Sequence, residues 1–531
     1  MTVTGRAPLG WLHLHGWTSK SGMANLLQFS KRPVIRCLAL VILLTGSTHL
    51  EPLTSAIYDP DLWWHLRDGD AIVAQHAVPH QGVFSQYVSH PWAAYSWGFE
   101  VIASRFYHWF GLVGLVGLRS GLEVAITFLL FVIFRRGSGS FWQAWALTAA
   151  GMWAMHHCLG LQPMLTSVLM FTIEIGLIFE ARRRSNIGPL FLLPVLFLLW
   201  ANLHIHFIYG LFVLGLLVMV GMVRLILPRF WSVSLEPERE LPVAKLGAVA
   251  GLAVLATLLG PYSWRLYAVT LDYVRSSAPY SIIVELQALN FRATEHFIVL
   301  LIVVAAFFSL GWQRSRDPFK LVLLVACTLV AFRMQRDSWF VCIPALAIIS
   351  HRKLATDCGT VTSRGRAWAF AAATALGTVL MFLLVAWDSK VNNDSLRRAL
   401  AFYFPVHACD FIRGASLPGP IYNNLNWGGF IIWSLPEYPV AIDGRTDLYG
   451  DQVLSRFNRV EQGSAEWWAD PDLEAARLVL LDRRAQLTTL LYHDPRFQVV
   501  YEDPHAVVLA RNGQGQSTSP ASIQPVSTQP R

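Results

Sequence analysis

Residues 58–66 read Tyr58-Asp59-Pro60-Asp61-Leu62-Trp63-Trp64-His65-Leu66 and follow an apolar run that ends near residue 52. Two carboxylates and two adjacent tryptophans therefore sit in a polar loop directly behind a membrane-length segment. A carboxylate placed there can take a proton from an attacking hydroxyl, and indole faces can cover the C–H face of a sugar. The same residues also suit an anchor at the membrane surface. Tryptophan belts mark the boundary between lipid and water, and Asp-Pro-Asp is a good helix start. This stretch alone leaves both readings open.

Composition decides the solvent. Of the 531 residues, 54% are hydrophobic and 14% are charged, and the mean hydropathy is +0.43. About a quarter of a soluble chain is charged, so lipid surrounds most of this one. The formal net charge of +8 does not point to nucleic acid. The basic residues fall in short clusters between apolar runs, where they fix topology and bind anionic headgroups of membrane lipids. The six cysteines (Cys37, Cys158, Cys327, Cys342, Cys358 and Cys409) lack paired or metal-type spacing, and four lie in apolar runs, where a thiol behaves as a small hydrophobe. No disulfide framework, metal site or cofactor is expected. Lys31, Arg32 and Arg36 precede the run from Cys37, and no small-x-small cleavage site follows, which reads as a retained anchor.

Apolar stretches of spanning or near-spanning length fall at roughly 34–52, 112–134, 141–160, 164–181, 188–204, 207–227, 243–260, 297–313, 318–332, 338–350 and 368–387. Several are short, which implies tilted or abutting helices. Tyr95 to Phe110 carries Glu100, Arg105, His108 and Trp109 among its apolar residues, as a helix lying in the interface would. Leaving that segment in the interface gives about eleven spans, with about nineteen Lys and Arg inside and about seven outside. The clusters Lys31/Arg32/Arg36, Arg135/Arg136, Arg182/Arg183/Arg184, Arg224/Arg229, Arg314/Arg316/Lys320 and Arg352/Lys353/Arg364/Arg366 then all become cytoplasmic. The fold predicted is an α-helical multi-pass membrane protein of the inner (plasma) membrane. It comprises a cytoplasmic segment at 1–33, a transmembrane domain at 34–387 with an outer loop at 53–111, a soluble extracytoplasmic α/β domain at 388–512 and a disordered tail at 513–531.

On this topology the polar, aromatic and ionisable residues collect opposite the basic loops. They occupy the Asp59–Tyr95 loop, the turn Asn202-Leu203-His204-Ile205-His206, the Pro261–His296 loop and everything after Asp388. Arg333 and Arg336, in Arg333-Met334-Gln335-Arg336-Asp337, lie at an outer helix end where the positive-inside rule disfavours them. They suit bidentate contact with a lipid phosphate, or else an Arg336/Asp337 surface pair or side chains that snorkel to the interface. His204 and His206 can polarise a phosphate or shuttle a proton, or simply cap the turn between two helices, and His65 has the same options. Glu285 is a further carboxylate in the outer loop with no motif around it.

In the carboxy-terminal part, strands are predicted at Pro420–Tyr422, Val440–Ile442, Leu478–Leu481, Phe497–Tyr501 and Ala506–Ala510. Helices are predicted at Trp427–Leu435, Gln452–Val460 and Arg484–Tyr492. Two turns concentrate polar groups at strand ends, where α/β folds bind ligands: Asn423-Asn424-Leu425-Asn426-Trp427-Gly428-Gly429 and Asp443-Gly444-Arg445-Thr446-Asp447-Leu448-Tyr449-Gly450. Asn and Asp are equally the ordinary residues of structural turns. The candidate substrate-binding residues are Trp63, Trp64, His65, His204, His206, Arg333, Arg336, Asn426, Trp427, Asp443, Arg445, Asp447 and Tyr449.

Three motifs, Asp59 through Leu66, Trp200-Ala201-Asn202-Leu203-His204, and Asn426-Trp427-Gly428-Gly429 with Asp443 through Gly450, together resemble the GT-C class of integral-membrane glycosyltransferases. Within that class the chain is similar to the bacterial proteins grouped with polyprenyl-phosphate mannosyltransferase-like and Rgt-like enzymes, from about Pro33 to Arg511. The resemblance implies a catalytic Asp in the first outer loop, a sugar donor carried on polyprenyl phosphate, and a glycan, lipid or protein acceptor outside the cytoplasm. Carried over by position, Asp61 or Asp59 becomes the general base, Asp61 preferred because it precedes the aromatic pair. The chain has Gln162 before Pro163, where the resemblance leads one to expect Arg. Two other readings share the sequence. One is a non-catalytic scaffold that binds lipid-linked glycan. The other is a transporter or flippase, whose inverted repeats and midplane charges are not visible here.

Overall fold

The computed structural model describes residues 32–226, 241–315, 317–351 and 364–512. The segment before Arg32, with Lys31, and Arg229, Arg316, Arg352, Lys353, Cys358 and the tail after Asn512 lie outside the described residues.

Helix α1 (Pro33–Ser47) opens on a proline, whose fixed φ and missing N–H suit a first helical turn. The expected outer loop is itself largely helical: α2 (Leu62–Gln75) begins at the Asp-Pro-Asp turn, and α3 (Trp97–Phe110) packs along it. The bundle continues with α4 (Leu112–Ser138), α5 (Phe141–Met155), α6 (Pro163–Arg184), α7 (Leu193–Leu203), α8 (Phe207–Ile226) and α9 (Val243–Thr257). Helix α10 (Arg265–Arg275) belongs to the next loop, followed by α11 (Thr294–Trp312), α12 (Pro318–Arg333), α13 (Ser338–Ser350) and α14 (Arg364–Asp388).

Five described helices are long and apolar enough to cross a membrane: α4, α6, α8, α11 and residues Gly365–Asp388 of α14. Helix α1, the stretch Gly188–Leu203 and α9 are shorter apolar helices. The expectation of about eleven spans counts apolar length alone. Helix α13, one of those eleven, has 13 residues and is buried along its length except at Ile349. Such a helix rises about 20 Å, short of the roughly 30 Å hydrocarbon layer, and its neighbours in the bundle separate it from lipid. Helix α3 has 14 residues and exposes Ile102, Trp109 and Phe110, while Phe99, Glu100, Ala103 and Ser104 are buried.

The bundle has two chemically different ends. At one, α4 finishes on Arg135 and Arg136 and α6 on Arg182, Arg183 and Arg184, cations placed where helix carbonyls and the macrodipole favour them. There Arg182 donates twice to Asp317, at 2.8 and 2.9 Å, tying α6 to the start of α12, and the Phe179 ring lies 5.3 Å from His351 just after α13. At the other end α6 begins beside Asp59 through Gln162, α12 stops at Arg333, and α13 starts at Ser338.

The carboxy-terminal residues form a four-stranded sheet in the order β1-β2-β4-β3. Its strands are β1 (Ile421–Asn423), β2 (Leu478–Asp482), β3 (Phe497–Glu502) and β4 (Ala506–Arg511). Strands β1 and β2 are parallel, and β2 and β3 each pair antiparallel with β4. The predicted strand at Val440–Ile442 is absent as a strand. Pinned between Pro439 and the Asp443-Gly444 turn, it makes only single bridges, Val440 to Ile421 and Val440 to Ser85. Helix α15 (Leu425–Ser434) matches the expected position near Trp427, and α16 (Thr446–Glu461) is broken at Gly450, where φ is 70°. Helices at Asn393–Leu400, Val406–Ala415 and Pro471–Ala475 are additional to those predicted.

This unit packs on the outer-loop helices. Trp63 is enclosed by Phe404, Phe430 and Trp433, with ring centroids 5.7, 5.3 and 4.7 Å away. Tyr87 donates to Asp472 at 2.8 Å, and the Ser85 hydroxyl lies 3.2 Å from the Tyr449 phenol oxygen, which accepts from it. In intact cells, a membrane-impermeant maleimide should label Gln81→Cys and Ser416→Cys, both exposed beside or on this unit, and leave the exposed Asn186→Cys at the basic end unlabelled. Equal labelling of all three positions would show that the two ends do not face opposite compartments.

Candidate active site

The Asp-Pro-Asp turn builds the first wall of the site. The Asp61 backbone N–H donates to Asp59 Oδ1 at 2.8 Å, closing an Asx-type turn, and Gln162 Nε2 donates to Asp59 Oδ2. Asp61 occupies the cap position of α2, yet its side chain makes no capping bond and instead accepts from Trp64 Nε1 at 3.1 Å. Both carboxyls are held above the ordinary carboxylate range. For Asp59 the main cause is enclosure by protein, followed by repulsion from Glu285; for Asp61 it is enclosure, followed by repulsion from Asp59.

These residues line a cavity of about 660 Å³. Its lining includes Trp64, His65, His204, His206 and Tyr209, and also Arg333, Arg336 and Glu285. Tyr95, Tyr273 and Tyr280 supply further phenol groups, and Leu425, Asn426, Gly444 and Thr446 reach in from the carboxy-terminal unit. Ile208, Val274, Leu329 and Val330 make an apolar side. Leu329 is 71% exposed and Val274 64% exposed, so this side continues onto the outer surface of the bundle.

The cations are held differently from one another. Arg336 Nη1 donates to Glu285 Oε1 at 3.1 Å, so the alternative of a surface pair with Asp337 gives way to a pair with a carboxylate of the cavity lining. Asp337 instead accepts from Tyr209 at 2.5 Å. Arg333 lies 6.0 Å from the Tyr280 ring centroid and makes no salt bridge among the described residues. His204 Nδ1 is 2.9 Å from Ser167 Oγ, and the His206 ring stacks 4.9 Å from Tyr209. Burial holds both imidazoles well below the ordinary histidine range, which keeps them neutral. His65 Nδ1 is 3.0 Å from Glu100 Oε1, which leaves Nε2 for the cavity.

Of the residues singled out in the sequence, Asp59, Asp61, Trp64, His65, His204, His206, Arg333, Arg336 and Asn426 share this cavity. Trp63 and Trp427 do not line it. Trp63 is fully buried among aromatic rings, and Trp427 donates to Tyr403 O at 3.1 Å with its ring 5.3 Å from His505. Asp443, Arg445 and Tyr449 also lie behind the wall. Arg445 Nε and Nη2 donate to the two Asp443 oxygens at 2.8 and 2.7 Å, and Tyr449 donates to Asp443 Oδ2 at 2.5 Å. The Arg445 guanidinium sits 5.8 Å from the Trp64 ring and 5.0 Å from Trp92. Asp447 lines a neighbouring cavity of about 440 Å³ and accepts from Tyr273 at 3.4 Å. Burial raises its carboxyl to about 6.

The buried Asp443–Arg445–Tyr449 cluster therefore acts through the backbone it fixes. A Cβ at Gly444 would collide with the Asp61 carboxylate, and a Cβ at Gly429 would collide with Pro60 O. Sequence reasoning missed Tyr95, Tyr209, Tyr273 and Tyr280 as cavity residues, noted Glu285 as a carboxylate without a motif, and marked Gln162 only as standing where the resemblance leads one to expect Arg. Only the position of Gln162 immediately before a helix-opening Pro163 offered a signal. Among the described residues, no group of three or more His, Cys, Asp and Glu is placed to hold a metal ion.

No family model and no curated protein matches the chain. Among solved structures it is similar to ArnT from Cupriavidus metallidurans bound to undecaprenyl phosphate, with TM-score 0.44 and 14% identity, covering 93% of this chain and 98% of that one. It is likewise similar to ArnT from the same organism in the apo state, with TM-score 0.45 and 13% identity over 92% of this chain and 98% of that one. These likenesses assign the chain to no family.

Gly444→Ala should disable the cavity without unfolding the protein, because the added methyl displaces Asp61 while the turn keeps its backbone conformation. Loss of the activity that the cavity supports, with an unchanged melting profile, is the expected result; full activity would show that the close approach has no functional weight.

Proposed function

We propose that this chain is a GT-C-type membrane glycosyltransferase that moves a sugar from a polyprenyl-phosphate donor to an acceptor hydroxyl by single-step displacement. One observation carries the reading: a single cavity joins a carboxylate wall (Asp59, Asp61), a guanidinium wall (Arg333, Arg336) and an apolar side exposed at Leu329 and Val274. Its volume of about 660 Å³ is in the usual range for a small-ligand site, roughly 300–1,000 Å³. The lipid chain would leave along the apolar side, the phosphate would rest on the arginines, and the sugar would face the carboxylates.

In the proposed reaction the acceptor oxygen attacks the anomeric carbon from the face opposite the phosphate. The new C–O bond forms as the bond to phosphate oxygen breaks. The electron pair leaves with the phosphate, and the acceptor proton passes to a carboxylate, so the anomeric centre inverts. Asp61 is the better base. Asp59 is engaged by Gln162 and by the Asp61 backbone, whereas Asp61 accepts one bond, from Trp64. The arginines and neutral histidines would stabilise the departing phosphate, and Trp64 with the tyrosines would cover the sugar. In the proposed setting the cavity end and the carboxy-terminal unit face outward from the inner membrane, and the acceptor is a glycan, lipid or protein.

Asp61→Asn should lower transfer at least about a hundredfold with membrane insertion intact. Only the ionised carboxylate accepts a proton, and the Asp61 pKa is raised. In the wild type kcat/KM should therefore climb with pH through a midpoint above the ordinary carboxylate range, and that limb should vanish in Asp61→Asn. The check is transfer by the reconstituted protein across pH, alongside mass spectrometry of envelope glycans from wild-type and deletion strains. Identical glycans in the two strains would reject the enzyme and favour a lipid-glycan scaffold.

A further inference from the structure

Arg336 already has an anionic partner in the cavity. Its Nη1 donates to Glu285 Oε1 at 3.1 Å, while its Nε is buried without a hydrogen-bond partner. Glu285 stands on the loop that follows α10, and that loop is stitched to the Arg333–Asp337 turn. Leu289 N donates to Phe332 O at 3.2 Å and Gln335 N to Gln287 O at 2.9 Å. Gln335 Nε2 also donates to Val284 O at 3.3 Å and to Ala288 O at 3.4 Å. The backbone under Glu285 is therefore fixed, and only side-chain rotation takes its carboxylate off the guanidinium.

That rotation is easy. The side chains of Glu285 and Arg336 are 45% and 29% exposed, and an ion pair this wet shifts an equilibrium by no more than about fivefold. A phosphate offers more oxygens and bidentate geometry, and it can also engage Arg333, which makes no salt bridge among the described residues. Resting on the lipid-phosphate reading above, we propose that Glu285 is a built-in counter-ion. It occupies the phosphate position on Arg336 between turnovers and competes with the lipid phosphate for it. The competition bears hardest on the product. A donor phosphodiester carries a single negative charge, whereas the released monoester carries about −1.5 to −2 near neutral pH and grips both arginines. The return of Glu285 loosens that grip and frees the site. No covalent bond changes in the exchange; one oxyanion replaces another on the same guanidinium.

The test is farnesyl phosphate binding to the full-length protein in detergent, for wild type, Glu285→Gln, Arg336→Gln and the double variant. Glu285→Gln should tighten binding by about two- to fivefold, and Arg336→Gln should weaken it by about tenfold or more. The double variant should bind no more tightly than Arg336→Gln alone. Glu285→Asp, which keeps the charge but withdraws it by one methylene, should fall between wild type and Glu285→Gln. Unchanged or weaker binding by Glu285→Gln, with Arg336→Gln still impaired, overturns the counter-ion role and leaves the donor reading standing. Binding indifferent to Arg336 overturns both.

Discussion

Everything in the site depends on the close approach of the Gly444 backbone to the Asp61 carboxylate. Asp61 belongs to the turn that starts α2, and Gly444 to a turn nearly four hundred residues later, so this contact, with that of Gly429 on Pro60, joins the two parts of the chain at the cavity. It requires a residue without a side chain at 444 and a rigid frame behind it. The frame is Asp443 locked to Arg445 and Tyr449, with Arg445 in turn laid against Trp64 and Trp92. A buried ion pair contributes little net stability, but it fixes orientation. Here the orientation it fixes is that of a backbone pressed against a carboxylate.

The cavity also separates its charges by sign. Asp59 and Asp61 satisfy themselves with neutral donors, Gln162, Trp64 and a backbone N–H, rather than with the arginines across the space. Carboxylates held by neutral donors in an enclosed wall have a high affinity for a proton. Guanidiniums paired only through a wet contact with Glu285 remain available to an incoming anion. Closing those groups onto one another would have removed both properties.

Much of the bundle was legible because lipid imposes long apolar runs and because Arg clusters betray one end. The Asp-Pro-Asp-Leu-Trp-Trp-His stretch, the histidine turn and Arg333/Arg336 were legible as a group, since each places polar groups at a helix end on one side. Their meeting in one cavity follows from tertiary packing, and so does the division of labour between the tryptophans. Trp63 and Trp64 are neighbours, yet helical geometry points Trp63 into Phe404, Phe430 and Trp433 and Trp64 toward Asp61. Glu285 and Tyr95 lie outside the long helices, while Tyr209 stands in the first turn of α8 and Tyr273 in the last turn of α10, so no local motif marked them as cavity residues. The Val440–Ile442 run has strand composition, but its partners, Ile421 and Ser85, each offer only one bridge.

Helix α13 bears on how the chain is assembled. It has 13 residues, meets protein on nearly every side, and begins one residue after Asp337, whose neighbour Arg336 faces the cavity. A segment too short to bridge the acyl layer gains little by entering it alone, because the groove that shelters it is made of other helices. Its seat is made by α4, α5, α6, α11 and α12 together. The placement of Arg336 at the cavity is thus tied to how a short, buried helix seats among longer ones.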